Sequence, residues 1–225
     1  YDQTAKTPYG DKNFSYVGDI VYEYKLKGAD DSTYTSVVPS LAGNYVLRAR
    51  IIGGDGYNWE SSEPKYYEFT INKAEVAVPT IGEKSYTGTT LVADIDSSDL
   101  YEVKENLGGI DVNNYNVVLA LKDSANYKWN KFDSSEITLN FRINQADNSV
   151  ASFNAGSWIY GDAISHSTTS NFGEVIIKYY EDQNGIKGDE VEVADGIFNA
   201  GKYIARAEVI GNDNYKGAYQ EVHFE

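Results

Sequence analysis

Apolar and polar residues alternate with a period of two through most of this chain, the pattern of strands buried on one face. From Tyr45, the residues Tyr45, Leu47, Ala49 and Ile51 fall on one side and Val46, Arg48 and Arg50 on the other. The alternation returns as Tyr115, Val117, Leu119 and Leu121 against Asn116, Val118, Ala120 and Lys122, and as Tyr203, Ala205, Ala207 and Val209 against Arg206 and Glu208. A closing strand follows each time: Tyr67, Phe69, Ile71; Leu139, Phe141, Ile143; Val222, Phe224. Gly53-Gly54-Asp55-Gly56, Lys122-Asp123-Ser124-Ala125-Asn126 and Gly211-Asn212-Asp213-Asn214 lie between and predict hairpin loops. After the strand pattern at Ile176 to Tyr180, Asn184-Gly185 predicts a tight hairpin, because a type I′ turn needs two residues that tolerate positive φ. No stretch has a convincing helical period.

The alternation belongs to a longer repeat. Ala42-Gly43-Asn44-Tyr45, Val112-Asn113-Asn114-Tyr115 and Ala200-Gly201-Lys202-Tyr203 are one clause written three times. Twelve residues after each tyrosine comes a second clause, Tyr57-Asn58-Trp59, Tyr127-Lys128-Trp129 and Tyr215-Lys216-Gly217. A third reads Phe69-Thr70-Ile71-Asn72-Lys73-Ala74, Phe141-Arg142-Ile143-Asn144-Gln145-Ala146 and a shorter Val222-His223-Phe224. This predicts three small all-β domains in tandem, 1–74, 75–146 and 147–225. Repeats of about 75 residues lie within the range that folds independently.

Short strands with turns about every ten residues point to antiparallel sandwiches. In immunoglobulin-like domains a tyrosine near the start of strand F hydrogen-bonds back across a corner, two residues before a position that holds cysteine in antibodies. Tyr45, Tyr115 and Tyr203 fit that corner, and Leu47, Val117 and Ala205 would replace the cysteine by packing. With its Ala-Gly-x-Tyr corner, Asn-Tyr loop and Phe-x-Ile-x-Lys-Ala ending, the chain resembles the tandem bacterial immunoglobulin-like repeats of large cell-surface proteins that open on a Tyr-Asp-Gly-like turn. The second repeat departs from the pattern: it lacks the Ala-Gly pair, and Gly88 stands where Tyr1-Asp2-Gln3 and Tyr160-Gly161-Asp162 vary. The resemblance implies an extracellular location, at the bacterial surface or secreted, and a stalk or adhesion role.

The junctions Asn72-Lys73-Ala74-Glu75-Val76 and Asn144-Gln145-Ala146-Asp147-Asn148 contain no flexible spacer, so each closing strand should run almost directly into the next domain. Three such domains predict an elongated array on the order of 100 Å long. Tyr1 aligns with Tyr86 and Tyr160, which lie 12 and 14 residues beyond Ala74 and Ala146. The first domain is therefore expected to lack its first strand and leave an open edge, unless residues 15–21 fill the place. The third is expected to stop short of its ending.

Composition narrows the partners. The net charge of −15 is graded, with 8 basic against 10 acidic residues in 1–74, 6 against 11 in 75–146 and 5 against 13 in 147–225. Such a field repels nucleic acid and anionic membrane surfaces and favours a soluble monomer. No cysteine is present, so neither disulfides nor thiol chemistry is available. No apolar run approaches a membrane span.

The 20 tyrosines suit thin sheets, each ring half in the core and each hydroxyl wet. Tyr57, Trp59, Tyr127 and Trp129 sit in equivalent loops, where aromatic rings either cap a small core or stack on sugars of a glycan. Either glycan or a host or cell-surface protein is the expected partner if the chain binds one, besides other domains of a longer chain. His166 and His223, the only histidines, have no companion ligand at metal-binding spacing and are expected at the surface. Asp94-Ile95-Asp96-Ser97-Ser98-Asp99 alternates carboxylates but lacks the glycine and terminal glutamate of a calcium loop. Asn72 and Asn144 recur on closing strands without an assignable lysine for an isopeptide crosslink. No nucleophile elbow, phosphate loop or zinc motif occurs, so catalytic, cofactor and metal sites are expected to be none.

Overall fold

The computed structural model describes residues 1–9, 18–53, 61–154, 158–193 and 196–225. Among these the secondary structure is almost all strand, with a short 3₁₀ turn over Asp31–Thr33. Strands β1 (Gly18–Leu26), β2 (Gly43–Gly53) and β3 (Lys65–Ile71) form an antiparallel sheet in that order. Next in the chain come β4 (Ala74–Val76), β5 (Lys84–Ser85), β6 (Tyr101–Glu105), β7 (Asn113–Leu121), β8 (Tyr127–Trp129) and β9 (Glu136–Asn144). Of these, β5, β9, β7 and β6 form one sheet in that order, and β4 pairs with β8. The last sheet has the order β11-β10-β12-β13, with β10 (Ile176–Asp182), β11 (Lys187–Glu190), β12 (Tyr203–Val209) and β13 (Ala218–Phe224).

The repeat is visible in the pairing. Tyr45 lies opposite Phe69 and Tyr203 opposite Phe224, while Tyr115 packs against Phe141 with ring centroids 6.5 Å apart. Two residues on, at the positions expected to replace a cysteine, Leu47, Val117 and Ala205 are 3%, 0% and 0% exposed. The opposite faces of β2 and β12 carry charge. Glu23 takes Arg48 at 3.0 Å, and Arg206 takes Glu208 and Glu221 at 2.8 and 3.0 Å. The guanidinium groups of Arg48 and Arg206 lie over Tyr34 and Tyr219 at 4.0 and 3.8 Å, so these outer faces are covered by cation–π stacks.

Asn184 and Gly185 have φ of 59° and 87° and close the β10–β11 hairpin, with Gln183 and Ile186 bonded to each other across it. Two expectations need correction. The sheets are not wholly antiparallel, since β4 runs parallel to β8 and β5 parallel to β9. The turn at 122–126 does not return into a strand paired with β7: it leads into β8, which leaves to pair with β4. Only Asn72 and Lys73 separate β3 from β4, and β4 pairs with β8 and not with β3. Residues 18–21 belong to β1, hydrogen-bonded along β2, while 15–17 lie outside the described residues.

The chain divides into two compact units, Tyr1–Thr80, Asp96–Lys104 and Val118–Thr138 in one, and Ile81–Ile95, Glu105–Val117 and Leu139–Glu225 in the other. The division passes through the middle repeat. Each unit thus contains one of the two linking segments between successive sequence repeats, 72–76 in the first and 144–148 in the second. The first buries Tyr24, Tyr45, Leu47 and Ile71, and around β4 and β8 it buries Val76, Leu119, Trp129 and Ile137. In the second, Phe198, Ala205 and Phe224 form one cluster and Val150, Ala207 and Val209 another.

Candidate functional site

The most specific arrangement in each unit is its junction. In the first, Asn126 precedes Tyr127 at the end of the 122–126 turn, and its side chain is 7% exposed. The Asn126 Oδ1 accepts a hydrogen bond from the Ala42 backbone N–H at 2.8 Å, 84 residues back and inside the first corner clause. Its own carbonyl accepts from the Ala74 N–H at 2.9 Å, and its Nδ2 donates to Asp123 Oδ2 at 2.8 Å. A buried carboxamide with every group engaged fixes position, because shifting it would strand a donor or acceptor away from water.

Around that centre Lys73 Nζ donates to the Ser124 carbonyl at 2.6 Å, and Lys128 pairs with Glu75 at 3.1 Å. The Tyr1 and Tyr127 rings meet edge to face at 5.3 Å. The Tyr1 amino group donates to the Asn72 carbonyl at 2.6 Å.

The second unit repeats this set with different residues. Asn214 precedes Tyr215, and its Oδ1 accepts from the Val112 N–H at 2.9 Å while its carbonyl accepts from the Ala146 N–H at 3.0 Å. Its Nδ2 donates to Asp111 Oδ1 at 2.8 Å. Gln145 Nε2 takes the part of Lys73, donating to the Asn212 carbonyl at 2.7 Å, and Lys216 pairs with Asp147 at 2.7 Å as Lys128 does with Glu75. Tyr86 packs on Tyr215 at 6.3 Å with Phe172 beside both, and the Tyr86 N–H bonds to the Asn144 carbonyl at 2.9 Å.

The corner tyrosines hold the receiving surface. Tyr45 Oη donates to the Leu41 carbonyl, Tyr115 Oη to that of Asp111 and Tyr203 Oη to that of Asn199, at 3.0, 2.8 and 3.0 Å. Each reaches four residues back, and for Tyr45 and Tyr115 the residue reached is the one just before the N–H that the asparagine takes. The tyrosine therefore orients the peptide that the next repeat's asparagine reads.

Every carboxyl with a shifted pKa among the described residues is shifted downward. Asp123 is lowered first by the Asn126 carboxamide, Asp147 by Lys216 and Asp182 by His223, whose Nδ1 lies 2.7 Å away. These groups are held ionised, which suits them to bracing loops. None of them is poised to donate a proton.

The remaining candidates are placed as follows. Trp129 is 1% exposed, with its Nε1 donating to the Ser135 carbonyl and its ring against Tyr101. Its burial fits the core-capping alternative of the two roles weighed for it. Tyr127 is half-buried in the junction, and Tyr57 and Trp59 lie outside the described residues. His166 is not the surface residue expected: Phe153, Trp158, Tyr179 and Phe224 surround it, and its Nδ1 lies 3.1 Å from Tyr179 Oη.

Asp94 pairs with Lys84, and the described residues contain no group of three or more potential metal ligands. The Asn144 side chain is engaged by Glu83 and Arg142. No described helix is long and apolar enough to cross a membrane. A separate cleft of about 620 Å³ in the first unit is lined by Tyr9, Tyr22, Leu47, Arg50, Ile51 and Tyr67, with Tyr9 stacked on Tyr22 at 4.0 Å.

Sequence reading missed Asn126 and Asn214. Their signal was an asparagine before the loop tyrosine in two of three clauses, with Gly56 in the third, together with a lysine directly after that tyrosine at 128 and 216 and an acidic residue directly after the closing alanine at 75 and 147. The sequence matches no protein-family model and no curated protein.

Proposed function

We propose that this chain is a non-enzymatic spacer or stalk segment of a bacterial cell-surface or secreted protein, built from three immunoglobulin-like modules each fixed to the next. The observation that carries this reading is the duplicated junction. Two contacts of different sequence converge on the same asparagine clasp, the same lysine–carboxylate pair and the same tyrosine pair. A chain that needed free hinges would gain nothing by closing both linkers with part-buried hydrogen bonds. A strong acidic charge keeps such a segment dispersed, and a paired backbone gives proteases little to enter. Small-angle scattering tests the reading. The native chain should fit a single arrangement with one maximum dimension, and Asn126→Ala with Asn214→Ala should broaden it. A native curve that demands an ensemble of bent arrangements refutes the spacer role.

One observation favours a second reading, an adhesin-type module for glycan. The first unit's cleft presents Tyr22 and the half-exposed Tyr67 beside Arg50, and flat tyrosine faces with a cation suit an acidic or neutral sugar. Glycan binding abolished by Tyr67→Ala would decide for it, and an array with no bound sugar would decide against it.

A further inference from the structure

The receiving half of the junction exists three times in this chain and is filled twice. Its elements are an opening tyrosine, a corner tyrosine and the N–H three residues before that corner tyrosine. Tyr1, Tyr45 and Ala42 receive the loop of Asn126, and Tyr86, Tyr115 and Val112 receive that of Asn214. The third set is Tyr160, Tyr203 and Ala200. Its geometry matches: Tyr203 Oη holds the Asn199 carbonyl as Tyr45 and Tyr115 hold theirs. The backbone bond that fixes the opening turn also recurs, from Lys6 to Pro39, Leu91 to Gly109 and Ile164 to Gly196 at 2.9, 2.8 and 2.8 Å. The third repeat spans it with one residue fewer after its tyrosine, which moves the positive φ from the second residue (Gln3, Gly88) to the first (Gly161).

What differs is cover. Tyr1 and Tyr86 are half-buried, whereas Tyr160 is 76% exposed and Ile159 beside it 78%. Ala200 is exposed, and its N–H donates to no described residue. Between them lies a cleft of about 410 Å³ lined by Trp158, Tyr160, Phe198, Ala200, Lys202 and Phe224. Asn199 stands where Asp111 accepts from Asn214, and its carboxamide oxygen can accept in the same way.

From this we infer that the face around Ala200 and Tyr160 is a docking site for a further β module that presents an Asn-Tyr-Lys hairpin loop. The loop's asparagine oxygen accepts from the Ala200 N–H, its amide donates to Asn199, and its tyrosine ring covers Tyr160. Residues 1–225 do not themselves supply that loop: Asn126 and Asn214 are both engaged in their own junctions, and Gly56 stands at the equivalent place in the first repeat. The occupant is therefore a separate module of the same build. The inference rests on the junction geometry and is independent of the spacer role.

The test uses the full chain, labelled with nitrogen-15, and a backbone-cyclised hairpin peptide reproducing residues 209–218, where Val209 pairs with Ala218 across the loop. Saturable shifts should appear at the amides of Ala200, Gly201 and Gly161. The peptide carrying Asn214→Ala, and the chain carrying Tyr160→Ala, should each bind about threefold to tenfold more weakly, the worth of one hydrogen bond or ring contact. Because a free peptide lacks the linker that supplies high effective concentration, a second chain carries residues 71–146 after Glu225. There the Ala200 amide should exchange at least about tenfold more slowly, and Asn126→Ala in the added segment should abolish the effect. Silence of Ala200 in both experiments, or equal shifts with the native and Asn214→Ala peptides, overturns the inference. In either case scattering by the native chain still decides the spacer reading separately.

Discussion

The carboxamide oxygen of Asn214 lies 2.9 Å from the backbone nitrogen of Val112, 102 residues earlier in the chain. Asn126 makes the same bond to Ala42 at 2.8 Å, so the relationship is a rule of construction and not an accident of one loop. Removing the carboxamide leaves the corner N–H and the adjacent Asp without their partner, at a buried position for Asn126 and a half-buried one for Asn214. Asn126→Ala and Asn214→Ala should each cost about 1–2 kcal/mol, measured as a lower urea midpoint. Asn→Asp is expected to be worse than Asn→Ala at both positions, because the new carboxylate would face Asp123 at 126 and Asp111 at 214.

The corner hydroxyls allow a threefold comparison within one molecule. Tyr45→Phe, Tyr115→Phe and Tyr203→Phe each delete one hydrogen bond to a carbonyl four residues back and keep the ring. Each should lose about 1 kcal/mol of stability in equilibrium unfolding. A null effect at all three would show that ring packing alone sets the corner.

Gly109 is irreplaceable for a different reason. A Cβ there would sit 2.1 Å from the Tyr115 ring, whereas at Gly43 the nearest atom, on the Tyr45 ring, would be 3.4 Å away. Gly109→Ala must displace the corner tyrosine and should cost about 2 kcal/mol or more, while Gly43→Ala should stay below about 1 kcal/mol. Thermal unfolding of the two variants side by side checks the contrast.

Acid should loosen the junctions. Asp123 and Asp147 are held below their ordinary value of 3.8, by the Asn126 carboxamide and by Lys216 respectively. A depressed carboxyl contributes stability that is fully present above its unfolded pKa and is lost as pH falls through its folded one. Stability should therefore be level from neutrality to about pH 4 and decline below it. Lys216→Ala should flatten part of that decline, as read by urea titrations at several pH values.

Much of the sheet structure was legible in the residues themselves. The alternation after Tyr45, Tyr115 and Tyr203 marked the central strands because a half-buried strand leaves a period of two, and Asn184-Gly185 marked its hairpin because few residues accept two positive φ angles. The parallel pairing of β4 with β8 was not legible, since three residues such as Ala74-Glu75-Val76 carry no sign of which neighbour they will meet. Trp129 read as either a core cap or a sugar platform, the cap being favoured: an aromatic residue in a loop clause has the same spelling in both, and only burial separates them. His166 misled for a similar reason. Its aromatic neighbours, Phe153, Trp158, Tyr179 and Phe224, are scattered through the sequence and meet only in the fold. The clasp of Asn126 and Asn214 was half written, as an asparagine before a repeated tyrosine, but its partner is a backbone N–H and leaves no side-chain signature.

The measurement that bears most directly on fixed junctions is amide hydrogen exchange at Ala42 and Val112. Both amides lie outside the ladder bonds of their sheets and are held by an asparagine side chain of the next repeat. The account predicts that they exchange as slowly as the amides of Leu47 and Val117 in the adjoining strands, and that Asn126→Ala releases Ala42 alone while Asn214→Ala releases Val112 alone. Exchange of both amides in the native chain at the rate of an open loop would mean that the repeats part freely in solution, contradicting the account.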